Sequence, residues 1–152
     1  MEGERRGLNV PPVYFMVALL LMALLHQVLP LARLFSAPYR YAGIVLMALA
    51  LGLILWAAIL FRRARTGIVP FSPATALVTR GPYRFTRNPM YLGMTGVLLG
   101  AAVLMGTLGP FAVIPAFMAL IADHFIAPEE ALLERNFGAQ YLAYKAQVRR
   151  WL

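Results

Sequence analysis

The chain has no cysteine, only two histidines and only six acidic residues among its 152. The missing cysteines exclude disulfides, thiolate nucleophiles and cysteine-ligated metals. His26 and His124 stand far apart without metal-ligand spacing, so no metal site is expected. Charge is scarce overall, at 13% of residues, against about 25% in soluble domains. Long polar stretches are missing as well. No segment between apolar runs exceeds about thirty residues, which leaves no room for a separate soluble catalytic domain.

What fills the chain instead is apolar: 61% of residues are hydrophobic and the mean hydropathy is +0.71. Four apolar runs stand out, from Val13 to Phe35, Tyr41 to Phe61, Met90 to Thr107 and Phe111 to Ala127. Each is close to the ~20 residues that cross a hydrocarbon core. Backbone groups in lipid must be satisfied internally and alternating strands are absent, so the runs are expected to be helices. Arg5 and Arg6 precede the first run as they would in a signal peptide. That run is long for a signal core and is read as a retained helix.

The net charge of +8 follows the membrane pattern and not that of a nucleic-acid stripe, because 12 of 14 basic residues fall on one side of the apolar runs. Those are Arg5 and Arg6, then Arg62, Arg63, Arg65, Arg80, Arg84 and Arg87, then Arg135, Lys145, Arg149 and Arg150. Arg33 and Arg40 fall on the other. Both termini are therefore expected in the cytoplasm. Leu108-Gly109-Pro110 is short enough to make the last two runs an antiparallel hairpin. Gly96 and Gly100 suit close helix packing, and Pro115 suits a kink. Pro128-Glu129-Glu130 reads as a helix start that Gly138 ends. Phe137, Tyr141, Tyr144 and Val148 recur at helical spacing beside Lys145, Arg149 and Arg150, as in an amphipathic helix lying on a membrane face. The expected fold is all-α: a polytopic membrane protein of about four transmembrane helices with a C-terminal cytoplasmic amphipathic helix. It is taken as one domain over 1–152, with a helix pair in 1–65 and a motif region and hairpin in 66–152.

Two polar sites are predicted on the cytoplasmic side. Gly81-Pro82-Tyr83-Arg84-Phe85-Thr86-Arg87-Asn88-Pro89-Met90-Tyr91-Leu92-Gly93 carries arginines and tyrosines into a helix start. Asn88-Pro89 there is equally an N-cap with proline at the first helical position, or part of an anion site at a helix N-terminus. Tyr83 and Tyr91 offer faces for a flat ring or a cation. Glu129-Glu130 either complements a helix dipole or binds a diol or cationic group. Asp123 and His124 lie near a helix end, where a functional role and snorkelling to the interface both fit. His26 is read as interfacial or packed.

Taken together, GPYRFTRNPMYLG and, about forty residues later, PEEALLERNFGAQYLAYKAQVRRWL resemble the isoprenylcysteine carboxyl methyltransferase family. The wider group includes membrane phospholipid N-methyltransferases. The likeness covers roughly residues 66 to 152. It implies a membrane enzyme using S-adenosyl-L-methionine near the cytoplasmic face, with a lipophilic acceptor entering from the lipid bilayer. The cofactor residues it implies are Tyr83, Arg87, Asn88, Pro89, Tyr91, Leu92, Gly93, Glu129 and Glu130, with Tyr141 and Tyr144 closing the pocket. Many members have histidine where this chain has Asn88; asparagine keeps a hydrogen-bonding role but carries no proton at neutral pH.

A carboxylate or thiolate acceptor needs no base, only an arginine to orient it, for which Arg84 is the candidate. An amine acceptor needs a base, for which Glu129, Glu130 or His124 is available; Arg84 and Glu130 are thus the catalytic candidates. An isoprenylated or similar lipophilic carboxylate or thiol ranks slightly ahead of a phospholipid amine. A non-enzymatic membrane module is the alternative class, and a transporter is disfavoured by the lack of repeat symmetry. A soluble Rossmann-type methyltransferase is excluded by length and by the absence of a glycine-rich strand-to-helix loop.

Overall fold

In a computed structural model, residues 10–64 and 76–152 are described, and among them the chain is helical without a named strand. The basic residues Arg5, Arg6 and Arg65, and with them the placement of the N-terminus, lie outside the described residues. Six α-helices follow in order: α1 (Pro11–Val28), α2 (Ala42–Arg63), α3 (Pro89–Met105), α4 (Val113–Ile121), α5 (Ala127–Phe137) and α6 (Ala139–Gln147). Tight 3-10 turns precede α2 at Tyr39–Tyr41, lie ahead of α3 at Gly81–Arg84, and precede α4 at Gly109–Ala112.

Three helical segments are long and apolar enough to span a membrane: Pro11–Val28, Tyr39–Arg63 and Gly109–Phe137. The last runs for 29 residues, or about 43 Å at 1.5 Å per residue, against a hydrocarbon core of about 30 Å. This segment is therefore longer than that layer is thick. α3, with 17 residues, reaches only about 25 Å.

The apolar runs thus become helices, with differences at their ends. The first helix stops at Val28, not Phe35, because Pro30 and the residue before it disfavour continuation. The freed chain instead pairs with the α3–α4 connection: Leu34 and Phe35 N–H groups donate to the Gly106 carbonyl, and Leu108 N–H donates to Ala32 O. Gly106 adopts φ 76°, and a Cβ there would lie 2.4 Å from Phe35 O. His26 is packed at this end, its Nδ1 lying 2.8 Å from Thr107 Oγ1.

The glycines on α3 zip it to α2. A Cβ at Gly100 would lie 2.6 Å from the Gly43 carbonyl, one at Gly96 would meet the Ala50 methyl at 2.9 Å, and one at Gly93 would meet Ile54 at 2.4 Å. The contacts pair the start of one helix with the end of the other, so the two run antiparallel. On its other face α3 joins α1 and α4 in a core of Met22, Leu98, Phe117, Ile121, Phe125 and Ile126.

The Glu129-Glu130 segment departs from expectation. It does not begin a free helix, because α4 continues through a π turn, Ala122–Ile126, directly into α5. A proline inside an α-helix clashes with the carbonyl four residues earlier and lacks an N–H. The wider turn ahead of Pro128 accommodates both defects. Dipole capping therefore does not explain the two glutamates. Pro115 lies in the first turn of α4, so the irregularity of this long helix sits at the π turn.

The C-terminal amphipathic helix is also different. Gly138, at φ 49°, breaks the run, so α6 holds only Ala139–Gln147, and Val148 is already extended. Tyr141 is fully buried against the protein. The aromatic stripe that looked membrane-facing in part serves the interior.

Candidate functional site

Every element that carries a motif residue ends at the same side of the bundle. The 3-10 turn Gly81–Arg84 and the start of α3 meet the polar half of α5, α6 and the final segment 148–152. Pro89 takes the first helical position of α3 and is fully buried. Its missing N–H costs nothing there. Asn88 sits at the N-cap position as expected, but its side chain makes no capping hydrogen bond. Its Nδ2 instead donates to the Arg150 carbonyl at 3.0 Å.

Arg87 is the hub. Its Nη2 donates to Glu130 Oε1 at 2.9 Å and its Nη1 to the Lys145 carbonyl at 3.2 Å. Its Nε is buried and has no partner. The two motifs, 43 positions apart, are thereby in direct contact. Glu130 is buried and held a second time: Arg150 Nε donates to Oε1 at 3.1 Å and Nη2 to Oε2 at 2.7 Å. Two guanidiniums around one carboxylate leave the cluster with a net positive charge. Both oxygens of Glu130 are engaged, so it is not a free base.

Glu129 contrasts with its neighbour. The Tyr91 hydroxyl donates to its Oε1 at 2.8 Å. Among the described residues no cation pairs with it. The tyrosines form the rest of the wall. Tyr144 donates its hydroxyl to the Tyr83 carbonyl at 2.7 Å, and the Tyr83 ring packs 5.3 Å from that of Phe61. Burial raises the Tyr83 and Tyr144 hydroxyl pKa values. Burial first, then the nearby Glu130, pushes Tyr141 up to about 12. All three stay neutral donors at physiological pH.

Leu92 and Gly93 serve a different neighbourhood. They line an apolar groove of about 490 Å³ between α2, α3 and α4, together with Leu53, Leu99, Met118 and Leu152. Arg84 is exposed. His124 is exposed, with Nδ1 3.2 Å from the Leu120 carbonyl. Neither joins the polar cluster. Conversely, Thr86 and Arg150 are central and escaped sequence reasoning. Arg150 looked like one more basic residue in a basic tail, and nothing in its spacing pointed to Glu130.

A bundle of membrane-length helices with one polar, arginine-rich end beside an apolar groove defines the class as an integral membrane protein. The profile of the phospholipid methyltransferase family matches residues 39–140, and the chain belongs to this family of membrane methyltransferases. It is also 38% identical over 63 residues to an uncharacterized protein of Haemophilus influenzae, covering 41% of this chain and 100% of that protein. No solved structure gives a significant match.

Proposed function

We propose that the protein is an S-adenosyl-L-methionine-dependent methyltransferase acting on a lipid acceptor, with a phospholipid amine now ahead of a carboxylate or thiol. The observation that carries this reading is the joining of the two motifs through Arg87–Glu130 and Tyr91–Glu129, with the next residues, Leu92 and Gly93, lining the apolar groove.

The residues fit the cofactor. Its carboxylate suits the positive excess of the cluster, where Arg87 Nε is a buried donor without a partner. Tyr144 borders the site with a ring for its adenosyl part, while the buried Tyr141 and the Tyr144 hydroxyl, spent on the Tyr83 carbonyl, brace that wall. When bound, the cofactor supplies an activated methyl on a sulfonium, which leaves as a neutral thioether. The chain's own work is then to orient the acceptor, exclude water and manage one proton. Lining by Leu92, Leu99 and Met118 suits an acyl or prenyl chain lying in the groove.

Two features of the site favour an amine acceptor. Arg84, the residue suited to orienting a carboxylate, is exposed. Glu129 is the carboxylate of the site without a cationic partner, so it suits receiving the proton that an amine must lose before attack. Glu130 is reserved for holding Arg87 and Arg150. The positive-inside pattern supports a cytoplasmic site.

The test is methylation by nanodisc-embedded protein with methyl-labelled cofactor, offering phosphatidylethanolamine or a prenylated carboxylate. Amine methylation gives label stable to mild base; a methyl ester loses it. Glu129→Gln is expected to abolish the first reaction. Base-labile product, unaffected by that substitution, would restore the carboxylate reading. No product, with no binding of S-adenosylhomocysteine to folded protein, would favour a non-enzymatic module.

A further inference from the structure

The segment 148–152 crosses the motif turn, and three consecutive motif residues hold it. Thr86 Oγ1 and Asn88 Nδ2 both donate to the Arg150 carbonyl, at 3.1 and 3.0 Å. Between them, Arg87 N–H donates to the Arg149 carbonyl at 2.9 Å. Trp151 packs against the apolar core and Leu152 lines the groove. The Arg150 side chain turns back to grip both oxygens of Glu130. The backbone and the side chain of one residue thus fasten the strap to both motifs.

We infer that Arg150 is a positioning residue for the cofactor site, acting through Glu130, and that Thr86 and Asn88 set the strap that aims it. The inference rests on the cofactor reading above. Glu130 reaches Arg87 through Oε1 alone, and Oε1 also accepts from Arg150 Nε. A carboxylate held in two directions by a planar guanidinium has one orientation, and that orientation fixes where the Arg87 fork points. Arg87 Nε, the unpartnered buried donor, is then aimed by contacts that originate in the strap. The role of Asn88 follows. One N–H of its side-chain amide is committed to the strap, which gives it an anchoring role at the site.

Two measurements on nanodisc-embedded protein test this. The first is calorimetric titration with S-adenosylhomocysteine of wild type, Arg150→Gln, Arg150→Lys, Glu130→Gln and the double variant Glu130→Gln/Arg150→Gln. Arg150→Gln is expected to weaken binding at least about tenfold, the scale of one charge-assisted hydrogen bond. Arg150→Lys should recover part of the loss. The double variant should bind no worse than Glu130→Gln alone, because both changes break one chain of contacts. The second is hydrogen exchange at Arg87 and across 148–152, which Glu130→Gln and Asn88→Asp should accelerate.

Wild-type binding with additive losses in the double variant would overturn the positioning role while leaving the cofactor reading intact. Unchanged exchange in both exchange variants would overturn the strap. Failure of wild type to bind, with exchange behaving as expected, would sink the cofactor reading and the positioning role together, and leave the strap as a structural fastening only.

Discussion

Along the α2–α3 seam the helices close on glycines: Gly43 and Gly100 meet the facing backbone, and Gly93 and Gly96 meet the Ile54 and Ala50 side chains, with no space for a methyl group. A few turns away, at the start of α3, contact is made at arm's length by long side chains, Arg87 and Arg150 meeting across Glu130. The seam lies where lipid supplies no hydrophobic drive between helices, so dispersion between close surfaces must hold it. In the cluster, charge can be buried only because the two guanidiniums and Glu130 find one another. The seam tolerates no added volume, and the cluster tolerates no removed partner.

The sharpest way to break this comparison is Gly100→Val. The new side chain would run into Gly43 O and Met47 N at under 3 Å, and neither backbone atom can move without parting the helices. Loss of folded protein in detergent is expected, beyond the usual ~1–3 kcal/mol of overpacking; a melting curve like that of wild type would show that the seam is looser than described.

Glu130→Gln comes next. It leaves two guanidiniums facing each other without their counter-charge, and should cost about 3 kcal/mol, read as a drop in melting temperature. The partial exposure of Arg150 keeps the loss below that of the seam variant. Arg87→Ala should weaken S-adenosylhomocysteine binding and also lower stability, since Arg87 is largely buried and paired. Tyr144→Phe removes one hydroxyl from the Tyr83 carbonyl and should cost about 1 kcal/mol in the same melting experiment. The smallest effect is expected at Gly52, on the same helix as the seam but with open space where a Cβ would go. Gly52→Ala should raise stability by up to about 1 kcal/mol through helix propensity. A loss there would extend the seam beyond its described residues.

Much of the fold could be read from the residues alone, because a bilayer leaves the backbone few options. Once four apolar runs are recognised, helices follow, and small residues at i and i+4 announce a close contact without saying which helix makes it. Pro89 at the first turn of α3 and Gly138 as a breaker were equally legible, since each acts through its own backbone. Pro128-Glu129-Glu130 misled because a proline followed by acids looks the same whether it opens a helix or interrupts one. The pairing of Arg87 with Glu130 is a contact across 43 residues, and no periodicity encodes it; only the resemblance of the two motifs to a known group suggested a shared site. Arg150 and Thr86 stayed hidden for the same reason, 64 positions apart.

The π turn at Ala122–Ile126 has a consequence for the register of the long helix. Each residue advances an α-helix by about 100°, so one extra residue in a turn rotates everything after it as a crankshaft offsets its throws. Core side chains follow at intervals of four from Val113 to Phe117, Ile121 and Phe125, and within the turn the series shifts by one residue to Ile126 and continues at Glu130. The facing of the two glutamates is therefore counted in residues. Shortening or lengthening Val113–Ala127 by one would leave an equally apolar span and swing Glu129 and Glu130 away from Tyr91 and Arg87. In this stretch the number of residues matters as much as which of them fill the core.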